Sequence, residues 1–501
     1  MSEAVAVEGT AEVEGSTGPA VASVASDGSR PAEPALRALA ARLPDDLPAV
    51  ERRAALPGGF VAAGGTAGIK RSGRPDLAVI AVADGATGRG GDHHQSRPAA
   101  VAALFTRNLV PAAPVRTSRA HLLATAPAGG GRNGWTQALI ATSGSANAAT
   151  GPDGDADQRA LAVALADALG TSAELTLAMS TGVIGTRLPV ERLVALLPSY
   201  VTGLEATDDA LLAAATALKT TDSTTKVATT TVRLPGAGGS PVEVRVSGIA
   251  KGVGMIHPRL ATMLSVILTD AVADPALLES VLRPAAARTW NQLSVDGDTS
   301  TNDTVFLLAS GASRAALVLP GTPAAATLGA AVEAVARDLA RQQAADGEGA
   351  ATLIDCQVTG ARSDADARAV ARSVVSSSLV KAAIHGRDPN WGRIAAAAGN
   401  AVLPDVELLV AGGMPRVEAE SRAGRAVSLA QDRLRIAIAG HLVFDGPAGG
   451  PVEFDRDAAR AALDAPDALI RLDLGLGAGI GEAWGCDLTE EYVRENSEYT
   501  T

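Results

Sequence analysis

The sequence of 501 residues has few cysteines, few aromatic residues and no excess of positive charge. Its two cysteines, Cys356 and Cys486, lie far apart and in no CxxC pattern, which excludes a disulfide scaffold. Aromatic residues make up 2% of the chain, so the core must be built from Ala, Val, Leu and Ile. The formal net charge of −12 argues against nucleic acid or a membrane as the main partner, because both attract basic surfaces.

Long apolar segments are also absent. No apolar run reaches the length of a membrane span without a Gly, a Pro or a charge. The first residues include Glu3 and Glu8, and they lack the basic and apolar regions of a secretory signal. We therefore expect a cytoplasmic enzyme or binding protein.

The rest of the composition is typical of a globular chain, with 47% hydrophobic and 20% charged residues. Residues 1–56 are expected to form a flexible N-terminal extension, with a short amphipathic helix within 35–54. The sequence Pro57-Gly58-Gly59 indicates the start of compact structure.

From Phe60 onward, short apolar runs typical of strands alternate with Ala-rich stretches typical of helices. The predicted strands are 77–82, 175–179, 227–234, 242–246, 305–308 and 469–474. The predicted helices are 157–169, 190–197 and 324–345. Residues 235–239, PGAGG, predict a hairpin with a long loop. These patterns predict an α/β (α+β) protein in which mixed and antiparallel sheets are layered with helices.

The stretch 251–265, KGVGMIHPRLATMLS, has two interpretations. The first is a Gly-rich loop that leads into a buried helix over 260–269. The second is that Thr262 is a nucleophile. A threonine hydroxyl needs an adjacent base, and cleavage before Thr262 would free its own α-amine for that role. The small Ala261 leaves room for the hydroxyl to attack the carbonyl that precedes it.

This stretch resembles the self-cleavage segment of the ornithine acetyltransferase (glutamate N-acetyltransferase) family of arginine biosynthesis. Further stretches similar to that family follow in order along the chain. They are PGGF at 57–60, AGIK at 67–70, STGVIG at 180–185, TTD at 220–222, SVDGDTSTND at 294–303, DGEGA at 346–350, GRDPNWGR at 386–393 and NSEYTT at 496–501. The resemblance therefore runs from about residue 57 to the end of the chain.

The resemblance implies a DmpA/ornithine-acetyltransferase-like sandwich and a precursor that is cut between Ala261 and Thr262. Residues 57–261 would form an α chain and residues 262–501 a β chain, with two copies of each in the assembly. It also implies a ping-pong reaction in which Thr262 takes acetyl from N-acetylornithine and passes it to glutamate. Some members also accept acetyl-CoA as a co-substrate. No cofactor or metal is expected.

The resemblance further implies the roles of individual residues. Thr181 and Gly182 would form the oxyanion hole, a task that needs donors in close approach to the developing charge. The expected substrate-binding residues are Thr220, Lys251, Thr262, Glu348, Asn496 and Thr501. Each also has a structural alternative: the Thr181 region could be a strand-to-helix turn, and Lys251 and Glu348 could be solvated loop residues. Four threonines in 219–225 leave the register of Thr220 open to a shift of one position.

Two positions depart from the family pattern. Thr142 and Ser145 stand where the family usually has asparagines, so the local hydrogen bonds and the choice of substrate could differ. Three other patterns predict no site. The stretch 296–300 fails the EF-hand spacing, 475–481 fails the GxGxxG spacing, and the pair His93-His94 has no third metal ligand nearby.

Other functions stay open at this point. A protein of the same fold could be an amidohydrolase or aminopeptidase whose acyl-enzyme is transferred to water. It could also be an acyltransferase paralogue of specialised metabolism, or a non-catalytic binding module. The three are separated by whether the chain is cut, whether it carries a covalent acetyl group, and which acceptor takes that group.

Overall fold

The computed structural model describes residues 47–83, 97–128, 131–257 and 263–498. Within these residues the strands are β1 Phe60–Gly65, β2 Leu77–Val82, β3 Ala99–Phe105, β4 Trp135–Thr136, β5 Ala138–Ser145, β6 Thr176–Val183, β7 Lys226–Pro235, β8 Pro241–Lys251, β9 Leu264–Thr269, β10 Leu293–Ser294, β11 Thr304–Ala309, β12 Leu353–Ala361, β13 Arg435–Ile438, β14 His441–Asp445, β15 Gly450–Pro451, β16 Asp467–Asp473 and β17 Gly479–Cys486.

The α-helices of the same residues vary from one and a half to more than six turns. They are α1 Ala113–Ala124, α2 Gly151–Leu169, α3 Val190–Thr202, α4 Asp208–Leu218, α5 Pro275–Arg288, α6 Pro323–Ala345, α7 Asp364–Val375, α8 Ser378–His385, α9 Trp391–Gly399, α10 Val406–Ala411, α11 Arg416–Arg422, α12 Arg456–Ala462 and α13 Glu490–Ser497.

The strands form three sheets. A four-stranded sheet has the order β1-β2-β5-β6, a six-stranded sheet has the order β4-β3-β11-β9-β8-β7, and a seven-stranded sheet has the order β10-β17-β12-β16-β13-β14-β15. Parallel and antiparallel pairs occur in each of the two larger sheets. In the six-stranded sheet β9 is antiparallel to β8 and parallel to β11, and in the seven-stranded sheet β12 is parallel to β16 and antiparallel to β17. The sheets are therefore mixed, as the sequence predicts.

The six-stranded sheet is buried on both faces. Alternate residues of a strand point to opposite faces, so Ala100 and Leu104 of β3 pack on one side and Ala99 and Val101 on the other. The first side packs against α5 and α6, and the second packs against the four-stranded sheet and α4. Helices α2 and α3 cover the outer face of the four-stranded sheet, and α7 to α9 pack on the seven-stranded sheet. This layered arrangement confirms the predicted mixed α/β class.

Most of the predicted elements are confirmed, but one is wrong. The interpretation of 260–269 as a buried helix fails, because Leu264–Thr269 is strand β9. All six of its side chains are buried, and it is hydrogen-bonded to strands on both sides. A short apolar run that is buried on both faces does not alternate, so periodicity alone cannot distinguish it from a buried helix.

Residues 47–56, the described part of the expected N-terminal extension, contact the folded body. Residues 47–54 contain no helix, and the part of the predicted helix before 47 lies outside the described residues. Glu51 instead pairs with Thr229 on the edge strand β7, with N···O distances of 2.8 and 2.9 Å. Ala55 is fully buried. Residues 47–56 therefore cover a sheet edge that would otherwise leave backbone groups unpaired.

Cys356 and Cys486 are buried free thiols. Among the helices of the described residues, none is both long enough and apolar enough to cross a lipid bilayer.

Candidate active site

The ends of β6 and β8 open onto a cavity of about 300 Å³, which we call the Lys251 cavity. Six of the residues predicted from the sequence line it together, although they are spread over more than 300 positions. They are Thr181, Gly182, Thr220, Lys251, Glu348 and Asn496. The predicted residues Ala261, Thr262 and Thr501 lie outside the described residues. Met263 and Leu264, which directly follow Thr262 in the chain, line the same cavity.

The first wall of the Lys251 cavity is backbone at the end of β6. Gly182 has a φ of 127°, and its register with β5 is irregular around Gly144 and Ser145. A Cβ atom at Gly182 would lie 2.3 Å from the carbonyl carbon of Gly144 and 2.7 Å from the nitrogen of Ser145. Only glycine allows this close approach of the two strands. The wall therefore depends on the absence of a side chain at position 182.

The opposite wall carries Lys251, the last residue of β8. Lys251 is 8% exposed, and its Nζ donates a hydrogen bond of 3.1 Å to Oγ1 of Thr181. Burial lowers the pKa of Lys251 below its ordinary value, and the nearby Asp222 carboxylate opposes this lowering. Since a hydroxyl has one proton to give and Thr181 here accepts from Lys251, that proton stays available for an oxygen atom inside the cavity.

Asp222 organises the turn between α4 and β7. Its Oδ2 accepts from the backbone nitrogen of Thr220 at 2.9 Å and from the Thr220 hydroxyl at 3.4 Å. Its Oδ1 accepts from the nitrogen of Gly252 at 2.8 Å and from Nζ of Lys226 at 2.7 Å. One buried carboxylate thus fixes both Thr220 and the residue that follows Lys251.

Asp222 also belongs to a chain of buried charges. Lys226 is fully buried, and its Nζ contacts Asp346 Oδ2 at 2.5 Å as well as Asp222. Burial alone would raise the pKa of Asp222, but the charges of Lys251 and Lys226 outweigh burial and hold that pKa well below its ordinary value. The carboxylate therefore stays ionised beneath the cavity.

Glu348 joins three separate segments at the mouth of the cavity. Its Oε1 accepts from the Thr221 hydroxyl at 3.0 Å, and its Oε2 accepts from Nδ2 of Asn496 at 3.0 Å. Its backbone nitrogen donates to the carbonyl of Val253 at 2.8 Å. A Cβ atom at Gly254 would lie 2.1 Å from Oε2 of Glu348, so any side chain there would displace the Glu348 carboxylate. Glu348 is thus not the solvated loop residue of the alternative interpretation.

The helix α13 brings Asn496 to the cavity. Thr489 caps this helix, and its hydroxyl also donates to the carbonyl of Gly349 at 2.7 Å. The described part of the C-terminal segment therefore folds back over the cavity mouth. Thr220 is buried against Asp222, whereas the exposed Thr221 binds Glu348, and both threonines line the cavity.

Sequence reasoning did not single out Asp222, Lys226, Asp346 and Asn302 as site residues. Asn302 is buried, and its Nδ2 donates to the carbonyls of Ala146 at 2.6 Å and Ser180 at 2.8 Å. Asp222, Asp346 and Asn302 stand within the stretches quoted above for the family resemblance, so a signal was present. Lys226 stood within no such stretch.

Asp296 shapes the turn that follows Lys251. Its Oδ1 accepts from the nitrogen of Ile256 at 3.0 Å, and its Oδ2 accepts from the nitrogen of Met255, which has a φ of 52°. Burial raises the pKa of Asp296 above its ordinary value, against the effect of these backbone donors. The turn that precedes the segment 258–262 is thus fixed by a carboxylate from the stretch SVDGDTSTND.

The two departures from the family pattern do not line the Lys251 cavity. Thr142 is buried in β5, and the Ser145 hydroxyl donates to the carbonyl of Thr186 at 2.8 Å. Both residues belong to β5, the strand that pairs with β6 at the glycine wall. The glycine run 475–481 packs tightly against β12, since a Cβ atom at Gly477 would lie 2.5 Å from the carbonyl oxygen of Ala361.

A layered α/β fold that gathers a buried lysine, two threonines, a carboxylate and a glycine backbone around one cavity defines an enzyme-like protein with a polar site for a small molecule. A family model described as the ArgJ family matches residues 61–501. The chain belongs to the ArgJ family.

Named relatives match over nearly the whole chain. The chain is 41% identical to the arginine biosynthesis bifunctional protein ArgJ of Synechocystis sp., over 91% of this chain and 100% of that protein. It is 43% identical to the protein of the same name from Synechococcus sp., over 89% of this chain and 96% of that protein. It is also similar to the solved structure of ornithine acetyltransferase complexed with ornithine from Mycobacterium tuberculosis, with 37% identity, coverage of 42% of this chain and 99% of that one, and a TM-score of 0.34.

Proposed function

We propose that this protein transfers an acetyl group from N-acetylornithine to glutamate through an acetyl-Thr262 intermediate, in arginine biosynthesis. Membership of the ArgJ family supports the reaction class. The observation that carries the proposal is the convergence of Thr181, Gly182, Lys251 and Glu348 on one cavity that Met263 also lines. Thr262 is joined to that cavity wall by a single peptide bond.

The first step of the proposal is cleavage of the peptide bond between Ala261 and Thr262. The Thr262 hydroxyl attacks the carbonyl carbon of Ala261, the peptide C–N bond breaks, and water then hydrolyses the resulting ester. The products are a carboxylate at Ala261 and a free α-amine at Thr262. That amine serves as the base which takes the hydroxyl proton in the acetyl-transfer steps.

In acetyl transfer, the Thr262 oxygen attacks the acetyl carbonyl of N-acetylornithine, and the amide C–N bond breaks as ornithine leaves with a proton. The α-amine of glutamate then attacks the acetyl ester and restores the Thr262 hydroxyl. Each step passes through an oxyanion. The Thr181 hydroxyl and the Gly182 N–H are the donors we assign to it, and one such donor typically contributes about 2.7–4 kcal/mol.

Charge complementarity supports the substrate contacts. Glu348 provides a negative charge for the cationic ammonium of ornithine, and Lys251 provides a positive charge for a substrate carboxylate. Thr220 and Asn496 add hydrogen-bonding groups from two further segments. Thr501 is assigned to the same substrate only through the resemblance.

The two-chain organisation is part of the proposal, with an α chain of residues 57–261, a β chain of 262–501, and two copies of each. Strand pairing supports a stable association, because Lys251 of β8 pairs with Leu264 of β9 across the proposed cut. Use of acetyl-CoA as a second acetyl donor is likewise proposed, with no bound cofactor. Hydrolase and non-catalytic alternatives are not favoured by the family match.

Intact-mass spectrometry before and after addition of N-acetylornithine tests the proposal. We expect two fragments divided at Ala261–Thr262, and one added acetyl group on the fragment that begins with Thr262. The variant Thr262→Ala should remain one uncut, unlabelled chain. Thr231→Ala, at an exposed position of β7, is the control and should behave as the parent protein. An uncut parent chain, or a labelled Thr262→Ala chain, would overturn the proposal.

The acceptor distinguishes transfer from hydrolysis. Acetylated protein should lose its acetyl group quickly when glutamate is added and should produce N-acetylglutamate. Release of acetate at the same rate without glutamate would instead identify a hydrolase.

A further inference from the structure

The short connection between β17 and α13 is fixed to the loop that carries Glu348. The Asp487 carboxylate in this connection is fully buried, and its Oδ1 accepts from the backbone nitrogens of Ala351 and Thr352 at 2.9 Å each. These two residues directly follow the stretch DGEGA, whose third residue is Glu348. Asp487 therefore holds the end of the Glu348 loop.

The same loop packs closely against the first turn of α13. The hydroxyl of Thr489, which caps the helix, donates to the carbonyl of Gly349 at 2.7 Å. A Cβ atom at Gly349 would lie 2.4 Å from the backbone nitrogen of Tyr492, so loop and helix leave no room for a side chain between them. Because Asn496 stands on this helix, the loop and α13 form one unit at the mouth of the Lys251 cavity.

His385, the last residue of α8, contacts this unit through two carboxylates. Its Nδ1 lies 3.0 Å from Oδ2 of Asp487, and its Nε2 lies 3.2 Å from Oε2 of Glu490 at the start of α13. The Glu490 side chain is 88% exposed, whereas that of Asp487 is fully buried. Exposed ion pairs contribute little, so we expect the contact with Asp487 to dominate. Asp487 thus links His385 to the Glu348 loop.

Helix α8 is attached to the end of β17 one turn before His385. Lys381 is buried, and its Nζ donates to the carbonyl of Cys486 at 2.7 Å and to that of Ser294 at 3.3 Å. A Cβ atom at Gly347 would lie 2.6 Å from Sγ of Cys486, so the Glu348 loop also packs directly on this strand end. Helix α8 therefore supports the connection between β17 and α13 at two successive turns.

We propose that His385 is a positioning residue for amino-acid binding in the Lys251 cavity. It is not among the residues that line this cavity, so it acts through Asp487, which holds Glu348 where its carboxylate meets the ammonium group of ornithine. This inference rests on the proposed function, which assigns that ammonium group to Glu348. The backbone wall of β6 belongs to the four-stranded sheet, whereas β17 belongs to the seven-stranded sheet. Loss of His385 should therefore weaken substrate binding and leave the acetyl-transfer step nearly unchanged.

Two amide variants separate the two contacts of His385. The amide of His385→Asn can take the position of Nδ1 and donate to Asp487, whereas the longer side chain of His385→Gln places its amide near Nε2 and Glu490. In steady-state acetyl transfer, His385→Gln should raise the KM for N-acetylornithine about tenfold and keep kcat within about twofold, because only substrate binding is lost. His385→Asn should keep a KM close to that of the parent protein.

A double-mutant cycle with Glu348→Gln tests whether His385 acts through Glu348. Glu348→Gln alone should raise the KM, because the ammonium group of the substrate loses its charge partner. If both residues serve that one contact, adding His385→Gln to Glu348→Gln should raise the KM by less than about twofold further. Independent effects would multiply instead, and that result would overturn the proposal.

The dissociation constant of ornithine, measured by titration calorimetry on the same proteins, separates this inference from the proposed function. Weaker ornithine binding in His385→Gln supports the positioning role even if the parent transfers no acetyl group, a result that would reject only the proposed reaction. An unchanged dissociation constant and KM in His385→Gln, or no binding of ornithine to the parent, would overturn the positioning role.

A comparison with a second histidine guards against a general loss of structure. His441→Gln makes the same change at a half-buried position of β14 outside the cavity lining, and it should behave as the parent protein. A rise in KM of equal size in His385→Asn and His385→Gln would indicate general loosening of α8 and would also overturn the proposal. Melting temperatures measured without ligand accompany each variant.

Discussion

The two walls of the Lys251 cavity are built by different physical means. The wall at the end of β6 is backbone, and it depends on Gly182 holding a φ of 127° against Gly144. The wall at the end of β8 consists of charged side chains, and it depends on the buried contacts of Asp222 and Lys226. We expect substitutions that add side-chain volume to disrupt the first wall and substitutions that remove a charge to disrupt the second.

This difference between a backbone wall and a charged wall explains how one cavity can bind a reacting oxyanion and two unlike amino acids. Backbone donors cannot move far, so they suit a geometry that must be the same in every step. Charged side chains respond to protonation and to each other, so they suit recognition of substrates that differ in charge. Substitutions in each wall can therefore test the comparison directly.

The largest effect is expected for Lys226→Met, which leaves Asp222 and Asp346 as buried charges without their partner. Removing one member of a buried pair typically costs about 3–5 kcal/mol of unfolding free energy. Urea unfolding followed by circular dichroism measures the loss. Lys219→Met, which loses only a lysine contact to the carbonyl of Ser223, is the control and should change stability little. A stable Lys226→Met protein would show that the charge chain does not support this wall.

Gly182→Ala should have the next largest effect, on catalysis. The added Cβ would force the peptide of Gly144 and Ser145 away and displace the Gly182 N–H. Loss of one oxyanion donor lowers kcat by about 10²–10³-fold, which steady-state acetyl transfer would reveal. Gly399→Ala, where nothing lies within 4 Å of the added Cβ, should keep full activity. Near-normal kcat for Gly182→Ala would reject the backbone wall as the oxyanion site.

Asp222→Asn should move the pH dependence of the reaction. The Asp222 charge opposes the lowering of the pKa of Lys251, so a neutral amide lets that pKa fall further. Lys251 then loses its proton at a lower pH, and the alkaline limb of the kcat/KM profile should shift in the acid direction. A profile with an unmoved alkaline limb would show that Lys251 does not govern it. The control is Asp298→Asn, which changes a carboxylate of the exposed turn 297–298.

The smallest effect is expected for Asn496→Ala. This change removes the hydrogen bond of 3.0 Å to Glu348 at an exposed position, and a single such bond contributes about 0.5–1.5 kcal/mol. We expect a several-fold rise in KM with little change in kcat. Ser497→Ala, which removes only a bond within the same helix, is the matched control. A large fall in kcat would move Asn496 from the mouth of the cavity into the chemistry.

The sequence predicts those parts of the molecule that local pattern determines. Strand β2 and helix α6 have lengths and apolar patterns that need no tertiary information, and both match their predicted bounds within one residue. Strand β9 could not be predicted in this way, because its identity as a strand depends on pairing with β8 and β11. The packing of 47–56 depends likewise on an edge strand almost 180 residues away.

The residues of the Lys251 cavity also divide into those that the local sequence reveals and those that depend on tertiary contacts. Thr181, Gly182 and Glu348 stand in short stretches that can be recognised by similarity, and the structure brings them to one cavity. Lys226 could not be recognised, because an isolated lysine in a threonine-rich stretch is usually solvated. Its role arises only when folding brings Asp346 beside Asp222.

The position of β9 has a consequence for the order of events in the life of the protein. This strand begins two residues after Thr262 and lies in the interior of the six-stranded sheet, between one neighbour that precedes the proposed cut and one that follows it. Neither fragment alone contains a complete version of that sheet. Under the proposed cleavage, the intact precursor would therefore have to assemble before it is cut, and a pair of fragments synthesised from separate genes would have to find each other as incomplete halves.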